Sequence, residues 1–342
     1  MTKSPDKVRF SVIGLNHPHI YSQVDTLLRA GGELVKFYAS EQDLAQTFSS
    51  TYPQATAARS AQEVIEDESI QLITTAAIPN ERAALAVNAM RHGKDVMADK
   101  PGCTTLAQLA ELRKAHAETG RFYSVLYGDR LESPATLKAA ELVKAGAIGR
   151  VVQTIGLGPH KINAKARPSW FFNHEQYGGI LCDIGSHQVD QFLFFTNSTN
   201  AEVALSQVAN YNNPQYPELE DFGDIVLRND HASGYVRVDW FTPDSLNTFG
   251  DGRLTLLGTE GYIEVRKNCD LVGRAGTNHL FLVNHKKTEY MECAGGPQPY
   301  GTQLLNDVRN RTETAMSQAH CFMVLEVSLR AQAQAKRIGV GK

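Results

Sequence analysis

VRFSVIGLNHPHIYSQVDTLLRAGGELVKFY, residues 8–38, decides the fold. Its first six residues, 8–13, are short and apolar and stop at Gly14, the pattern of a buried strand. From Pro18 the apolar residues Ile20, Val24, Leu27 and Leu28 recur at i, i+4, i+7 and i+8, one face of a helix. Gly31-Gly32 can end that helix by supplying a left-handed residue. ELVKFY, 33–38, then reads as a second strand. Strand, helix and strand within about 30 residues make one βαβ unit.

Working outward, the alternation continues. Ser60 and Glu63 form a capping box before a short helix, and IQLITT (70–75) is the next strand. Pro79 precedes a helix with Ala83, Val87 and Met90 on one face, and DVMA (95–98) is a strand followed by Lys100-Pro101. Thr105 and Gln108 cap a helix near 105–118, and FYSVLY (122–127) is another strand. Repeated βα units imply a parallel, doubly wound sheet with helices on both faces. Past about residue 130 the pattern changes. A helix (134–145) and GAIGR lead into the strand VVQTIGLG, and strands dominate 201–290. The clearest is 234–241, where Val236, Val238 and Trp240 alternate with Tyr235, Arg237 and Asp239. This predicts an α+β second half with a large, mostly antiparallel open sheet. The last 25 residues return to helix. We therefore expect a Rossmann domain over 1–128 and a substrate-binding and oligomerisation domain over 129–342, whose terminal helix can pack back on the first.

Two domains also suit a length of 342 residues. A net charge of −3 gives no electrostatic reason to expect nucleic acid or an anionic membrane. MTKSPDKVRF lacks a leader-like apolar run, and no stretch of about 18 apolar residues occurs, so neither a leader nor a membrane span is expected. Five scattered cysteines, with no CxxC, suit reduced thiols in a cytoplasmic compartment.

Three stretches could carry chemistry. The turn Gly14-Leu15-Asn16-His17-Pro18-His19 stands where a dinucleotide fingerprint would read GxGxxG. Only the first glycine is present; Asn16, which tolerates a left-handed backbone, and His19 take the other two places. The helix N-terminus still offers N–H groups to phosphate. An ordinary strand-to-helix turn fits equally, and His17-x-His19 could instead supply two metal ligands, as in a metal-dependent hydrolase. The strand ends at Ala39, Ala76 and Asp99 lend that last reading little support. At the end of the second strand, Ala39-Ser40-Glu41 lacks the usual first acid for the adenosine ribose. Ser40 could donate to a 2′-phosphate while Glu41 could reach the ribose, leaving NAD or NADP open with a lean to NADP. Next, Asp99-Lys100-Pro101 follows a parallel strand, at the end where doubly wound sheets bind ligands. Last, GGILCDIGSHQVD (178–190) sets Asp183 and His187 at i and i+4 of an apolar helix, with Asp190 three further on. A histidine oriented by a carboxylate suits proton transfer. The alternative makes Asp183 a helix cap and His187 a core residue.

Together these stretches resemble the Gfo/Idh/MocA family of NAD(P)-dependent oxidoreductases, over nearly the whole chain. ADKPGCTT (98–105) resembles its EKP segment, with Asp99 for Glu. WFFNHEQYGGILCDIGSHQVD (170–190) resembles its W…GG-x-L-x-D-x-G-x-H-x-x-D motif, and LVKAGAIGRV (142–151) and LTLLGTEGYIEV (254–265) two further family stretches. GLNHPH departs from GxGxxG. The resemblance implies Lys100, Asp183 and His187 as the catalytic set and a sugar, cyclitol or sugar-acid substrate. It also implies a homodimer or homotetramer through the second sheet. Gly14, Asn16, His17, Pro18, His19, Ser40, Ala76, Pro79, Asp99, Lys100 and Pro101 are then the candidate cofactor residues. His160, Lys161, Arg167 and Trp170 are candidate substrate contacts. Some relatives are dinucleotide-sensing regulators, and others run redox-neutral glycosidase or lyase reactions.

Overall fold

The computed structural model describes residues 7–339; MTKSPD, part of the stretch read for a leader, and the last three residues lie outside them. The chain divides into two compact units. One runs up to Leu126 and includes Pro299–Phe322; the other joins Tyr127–Gln298 to the residues from Met323 on.

The first unit opens with β1 (Arg9–Ile13), α1 (His19–Arg29) and β2 (Glu33–Tyr38). There follow α2 (Gln42–Thr51), a short β3 (Thr56–Ala57) that sequence patterning does not show, α3 (Ala61–Glu66) and β4 (Leu72–Thr75). Then come α4 (Arg82–Arg91), β5 (Asp95–Asp99), α5 (Leu106–Thr119) and β6 (Tyr123–Leu126). The six strands pair in parallel in the order β3-β2-β1-β4-β5-β6, the doubly wound arrangement whose order reverses beside β1. Every residue of β4 and β5 is buried, as central strands covered on both faces require. Both caps form: Ser60 Oγ accepts from Glu63 N–H at 3.1 Å and Thr105 Oγ1 from Gln108 N–H at 3.1 Å. The reciprocal bonds fall one residue outward, where the N–H groups of Arg59 and Thr104 donate to the Glu63 and Gln108 side chains.

The second unit contains α6 (Gly128–Leu131), α7 (Pro134–Lys144), β7 (Val151–Pro159), α8 (His174–Tyr177), α9 (Ile180–Asp183) and α10 (Gly185–Phe195). Its remaining strands are β8 (Glu202–Ala209), β9 (Phe222–Arg228), β10 (Ser233–Asp239), β11 (Arg253–Gly258), β12 (Gly261–Arg266), β13 (His279–Asn284) and β14 (Thr288–Glu292). After α11 (Tyr300–Asn310), which belongs to the first unit, come α12 (Gln318–Gln334) and β15 (Lys336–Arg337). Nine strands order as β14-β13-β12-β11-β7-β10-β9-β8-β15, antiparallel except for β7 with β10 and β8 with β15. Val236 and Val238 face inward with Trp240 just beyond, as the alternation predicts. Ala135 and Ala139 of α7 close one end of the core against Leu254, Leu256, Ile263 and Val265. Two glycines let α10 lie directly on β7: a Cβ on Gly156 would stand 2.4 Å from Gln188 Oε1, and one on Gly158 2.9 Å from an Ile184 methyl. Among the described residues no helix is long and apolar enough to cross a membrane.

Candidate functional site

In the first unit the candidate cofactor residues gather at the carboxyl ends of β1, β2, β4 and β5. Gly14 has φ +83°, and a Cβ there would lie 2.4 Å from that of Ala77. Only glycine permits this turn to pass so close to the segment after β4. The turn is laced to its neighbours: Gly14 N–H donates to Tyr38 O and His17 N–H to Ala76 O, each at 2.9 Å. Asn16 does not take the left-handed backbone that its place in the fingerprint suggests. Its side chain works instead, donating to Glu41 Oε1 at 2.7 Å, while Ser40 Oγ donates to Oε2 at 3.0 Å. Glu41 is thus fixed beside the turn, where an acidic residue meets an adenosine ribose. Pro79 opens the short 3₁₀ turn that leads into α4.

Arg82, which sequence reasoning missed, is wholly buried and organises the Asp99-Lys100-Pro101 loop. Its guanidinium donates to the carbonyls of Ala77, Asp99, Lys100 and Pro101 at 2.7–3.0 Å and reaches Asp99 Oδ2 at 3.3 Å. Five contacts from one rigid fork fix the backbone that carries Lys100. Asp99 also meets both histidines, with His17 Nδ1 3.3 Å from Oδ2 and His19 Nδ1 2.9 Å from Oδ1. The strand-end Asp99 therefore completes a three-residue cluster with the two histidines. Burial opposes charge on Asp99, but His19, His17 and Arg82 outweigh it and hold the carboxyl well below its usual range. Burial, helped by His19, pushes the His17 imidazole well below its ordinary value.

In the second unit the expected single helix through Asp183 and His187 is broken. α9 ends at Asp183 and α10 starts at Gly185. Ser186 Oγ donates to Asp183 O at 3.1 Å, and His187 N–H turns to Ile184 O at 3.2 Å instead of continuing the i−4 ladder. Asp183 has Arg167 as an electrostatic neighbour. His187 is 6% exposed, with the Tyr127 ring edge-on at 6.2 Å. Near it runs a polar string absent from the sequence reading: Lys267 Nζ lies 2.6 Å from Asp129 Oδ2, to which Gln188 Nε2 donates at 2.9 Å. Burial works against charge on Asp129, yet the Lys267 ammonium, with His187 and His160, holds it well below the normal carboxylate range. Asp190 is fully buried in a two-pronged bond from Arg130, at 2.6 and 2.8 Å.

The candidate substrate contacts sort differently. His160 packs edge-on against Trp240 and Phe249, at 5.6 and 5.1 Å, and is an electrostatic neighbour of Asp129. Arg167 lies over the rings of Phe171 and Trp240, 4.4 and 5.0 Å from their centres. Lys161 instead ties down its own loop, donating to the carbonyls of Asp244 and Leu246. Trp170 is 8% exposed and packs with Phe171, a core position.

The glycine turn with its tight crossing, the start of α1 and the carboxylate at the end of β2 fit a dinucleotide, which Gly14, Asn16 and Glu41 would hold. The class is thus a two-unit protein with a nucleotide-binding Rossmann fold. Residues 8–127 match the family model described as "Oxidoreductase family, NAD-binding Rossmann fold", and 136–264 match the GFO/IDH/MocA C-terminal domain. The chain belongs to the Gfo/Idh/MocA family of oxidoreductases. The crystal structure of a candidate oxidoreductase from Erwinia carotovora atroseptica SCRI1043 is similar at 49% identity and TM-score 0.95, over 97% of this chain and all of that one. Among curated relatives, D-xylose dehydrogenase of Paenarthrobacter nicotinovorans is 30% identical over 36% of this chain and 33% of its own length. The scyllo-inositol 2-dehydrogenase (NAD(+)) of Bacillus subtilis is 24% identical over 67% and 62%. The chain thus spans from a third to three-fifths of the length of these two.

Proposed function

We propose that the chain transfers hydride between a secondary alcohol, or the matching ketone, of a sugar-like or cyclitol substrate and a nicotinamide dinucleotide. A nicotinamide held by the first unit would supply or take up the hydride. His187 takes the hydroxyl proton in oxidation and gives it back in reduction. Lys100, on the loop that Arg82 fixes, suits stabilising negative charge that develops on a substrate oxygen. Asp183 binds a neighbouring hydroxyl, a task that suits its separation from His187 by the break at Ile184. Asp129 and Lys267 are positioning residues: their ion pair fixes Gln188 beside His187 and tunes the field that the imidazole feels.

The observation that carries the reading is His187, a buried titratable residue whose electrostatic neighbour, Asp129, is held charged by Lys267. Buried, coupled groups of this kind concentrate at catalytic sites. The names of the xylose and inositol dehydrogenases support the substrate class. For the cofactor the proposal is NAD, reversing the lean from sequence. Ser40 is engaged by Glu41, and the carboxylate that Asn16 fixes would repel a 2′-phosphate. Assembly through the second sheet stays within the proposal, supported by Leu205, Leu257 and Tyr262, each 42% exposed on it. The test is His187→Ala assayed against a polyol and sugar panel. Turnover should fall about 10²–10⁴-fold, the usual worth of a general acid–base, with NADH affinity unchanged. Wild-type turnover in this variant would remove His187 from the reaction.

A further inference from the structure

We propose that the turn between β1 and α1 carries a binding site for a divalent transition-metal ion, with His17, His19 and Asp99 as its protein ligands. Among the described residues this is the one group of three such side chains whose ligand atoms all lie within 4.8 Å of one another. The three come from two chain segments about 80 residues apart, brought together because β1 and β5 both end at the same edge of the sheet.

The spacing suits a small ion. With bonds of about 2.0–2.1 Å, a tetrahedral centre holds neighbouring ligand atoms about 3.3 Å apart. His17 Nδ1 stands 3.3 Å from Asp99 Oδ2 and His19 Nδ1 2.9 Å from the other carboxylate oxygen, Oδ1, and one ligand atom from each residue lies within 4.8 Å of the others. The bonding pattern also points to a cation. The backbone N–H of His19 donates to His17 Nδ1 at 3.2 Å, so that nitrogen carries its lone pair there, and an ion would take it over from the N–H. On binding, the ion takes the place of the proton that His19 Nδ1 shares with Asp99.

The donor set fixes the class of ion. Two imidazole nitrogens and one carboxylate oxygen suit zinc, cobalt, nickel or iron(II) rather than magnesium or calcium, which prefer oxygen alone. Arg82 supplies the outer support such sites need, holding Asp99 through its carboxylate and its carbonyl. The charge of Arg82 and Lys100 opposes a dication, so affinity should be lower than for the same ligands in neutral surroundings. Three protein ligands leave a coordination position open to water or an anionic oxygen, unlike a closed structural site. The inference stands on the first unit alone and does not depend on the dehydrogenase reading.

The full chain, freed of metal with a chelator, should be titrated with Co²⁺ and followed by visible absorption and calorimetry. One ion per chain should bind, with the intensified absorption of a four- or five-coordinate cobalt centre. His19→Ala, a change at a half-exposed position, should weaken Co²⁺ at least about tenfold. His92→Ala, at an exposed histidine elsewhere, should leave it unchanged. Absence of saturable binding, or equal affinity in His19→Ala, overturns the site. NADH titration of the metal-free chain is a separate readout: its failure would count against the dehydrogenase reading and leave the metal site standing.

Discussion

Removing the carboxylate of Asp190 should destabilise the second unit without touching the chemistry. Asp190 is 0% and Arg130 6% exposed, joined by bonds of 2.6 and 2.8 Å. Asp190→Ala strands the guanidinium in the interior, which typically costs about 3–5 kcal/mol. The ring of Phe194, its centre 4.4 Å from the guanidinium carbon, is in place before and after the change and so offsets none of this loss. A loss of about 3 kcal/mol or more lowers the melting temperature of a unit this size by roughly 6 °C or more. Urea denaturation should be followed by fluorescence and circular dichroism together, since two units can unfold in separate transitions. The double change Arg130→Met with Asp190→Leu should recover most of the loss, because it removes both buried charges at once. A single variant that loses less than about 1 kcal/mol, or a double variant as unstable as the single, would refute the reasoning.

Other changes probe other links. Gly14→Ala forces a Cβ against Ala77 and an L residue into positive φ, so it should cost at least about 1–3 kcal/mol and weaken NADH binding. Fluorescence titration showing an unchanged NADH affinity would contradict this. Glu41→Ala should raise the affinity for NADPH relative to NADH by about tenfold, the effect of a few-ångström charge repulsion in partly screened surroundings; parallel titrations would reveal an unaltered ratio. His174 lies 3.3 Å from Glu220, and the hydrogen bond it donates to that carboxylate raises the imidazole above its usual 6.5. Its contribution is then complete below about pH 6.5 and lost as pH climbs through the raised value. His174→Gln should shift the urea midpoint near pH 6 and leave it unchanged near pH 9; equal shifts at both would exclude the pair as the cause.

The alternation of the first 130 residues was readable because local signals carry it. Apolar periodicity, Gly31-Gly32 and the caps at Ser60 and Thr105 each act within a few residues. β3, only two residues long, has no room for a pattern. The break between Asp183 and Gly185 was hidden for a different reason: i and i+4 spacing survives in the sequence whether or not Ser186 captures the Asp183 carbonyl. Among the candidate residues, the turn at Gly14, Lys100 and His187 stood out by position. Arg82, Glu41, Asp129 and Lys267 did not, since each acquires its partner only through the fold. Lys267 meets Asp129 across some 140 residues, and PNERAALAV gives no hint that Arg82 will be swallowed whole. Asn16 was noticed for its backbone and matters for its side chain.

The most direct test of the central claim is fluorescence titration of the full chain with NADH and NADPH, followed by absorbance at the nicotinamide band with the polyol and sugar panel. The account predicts saturable binding of one NADH per chain, weaker NADPH, and a substrate-dependent absorbance change lost in His187→Ala. No saturable binding of either dinucleotide would contradict it, because GLNHPH would then have kept the fold of the turn without its nucleotide.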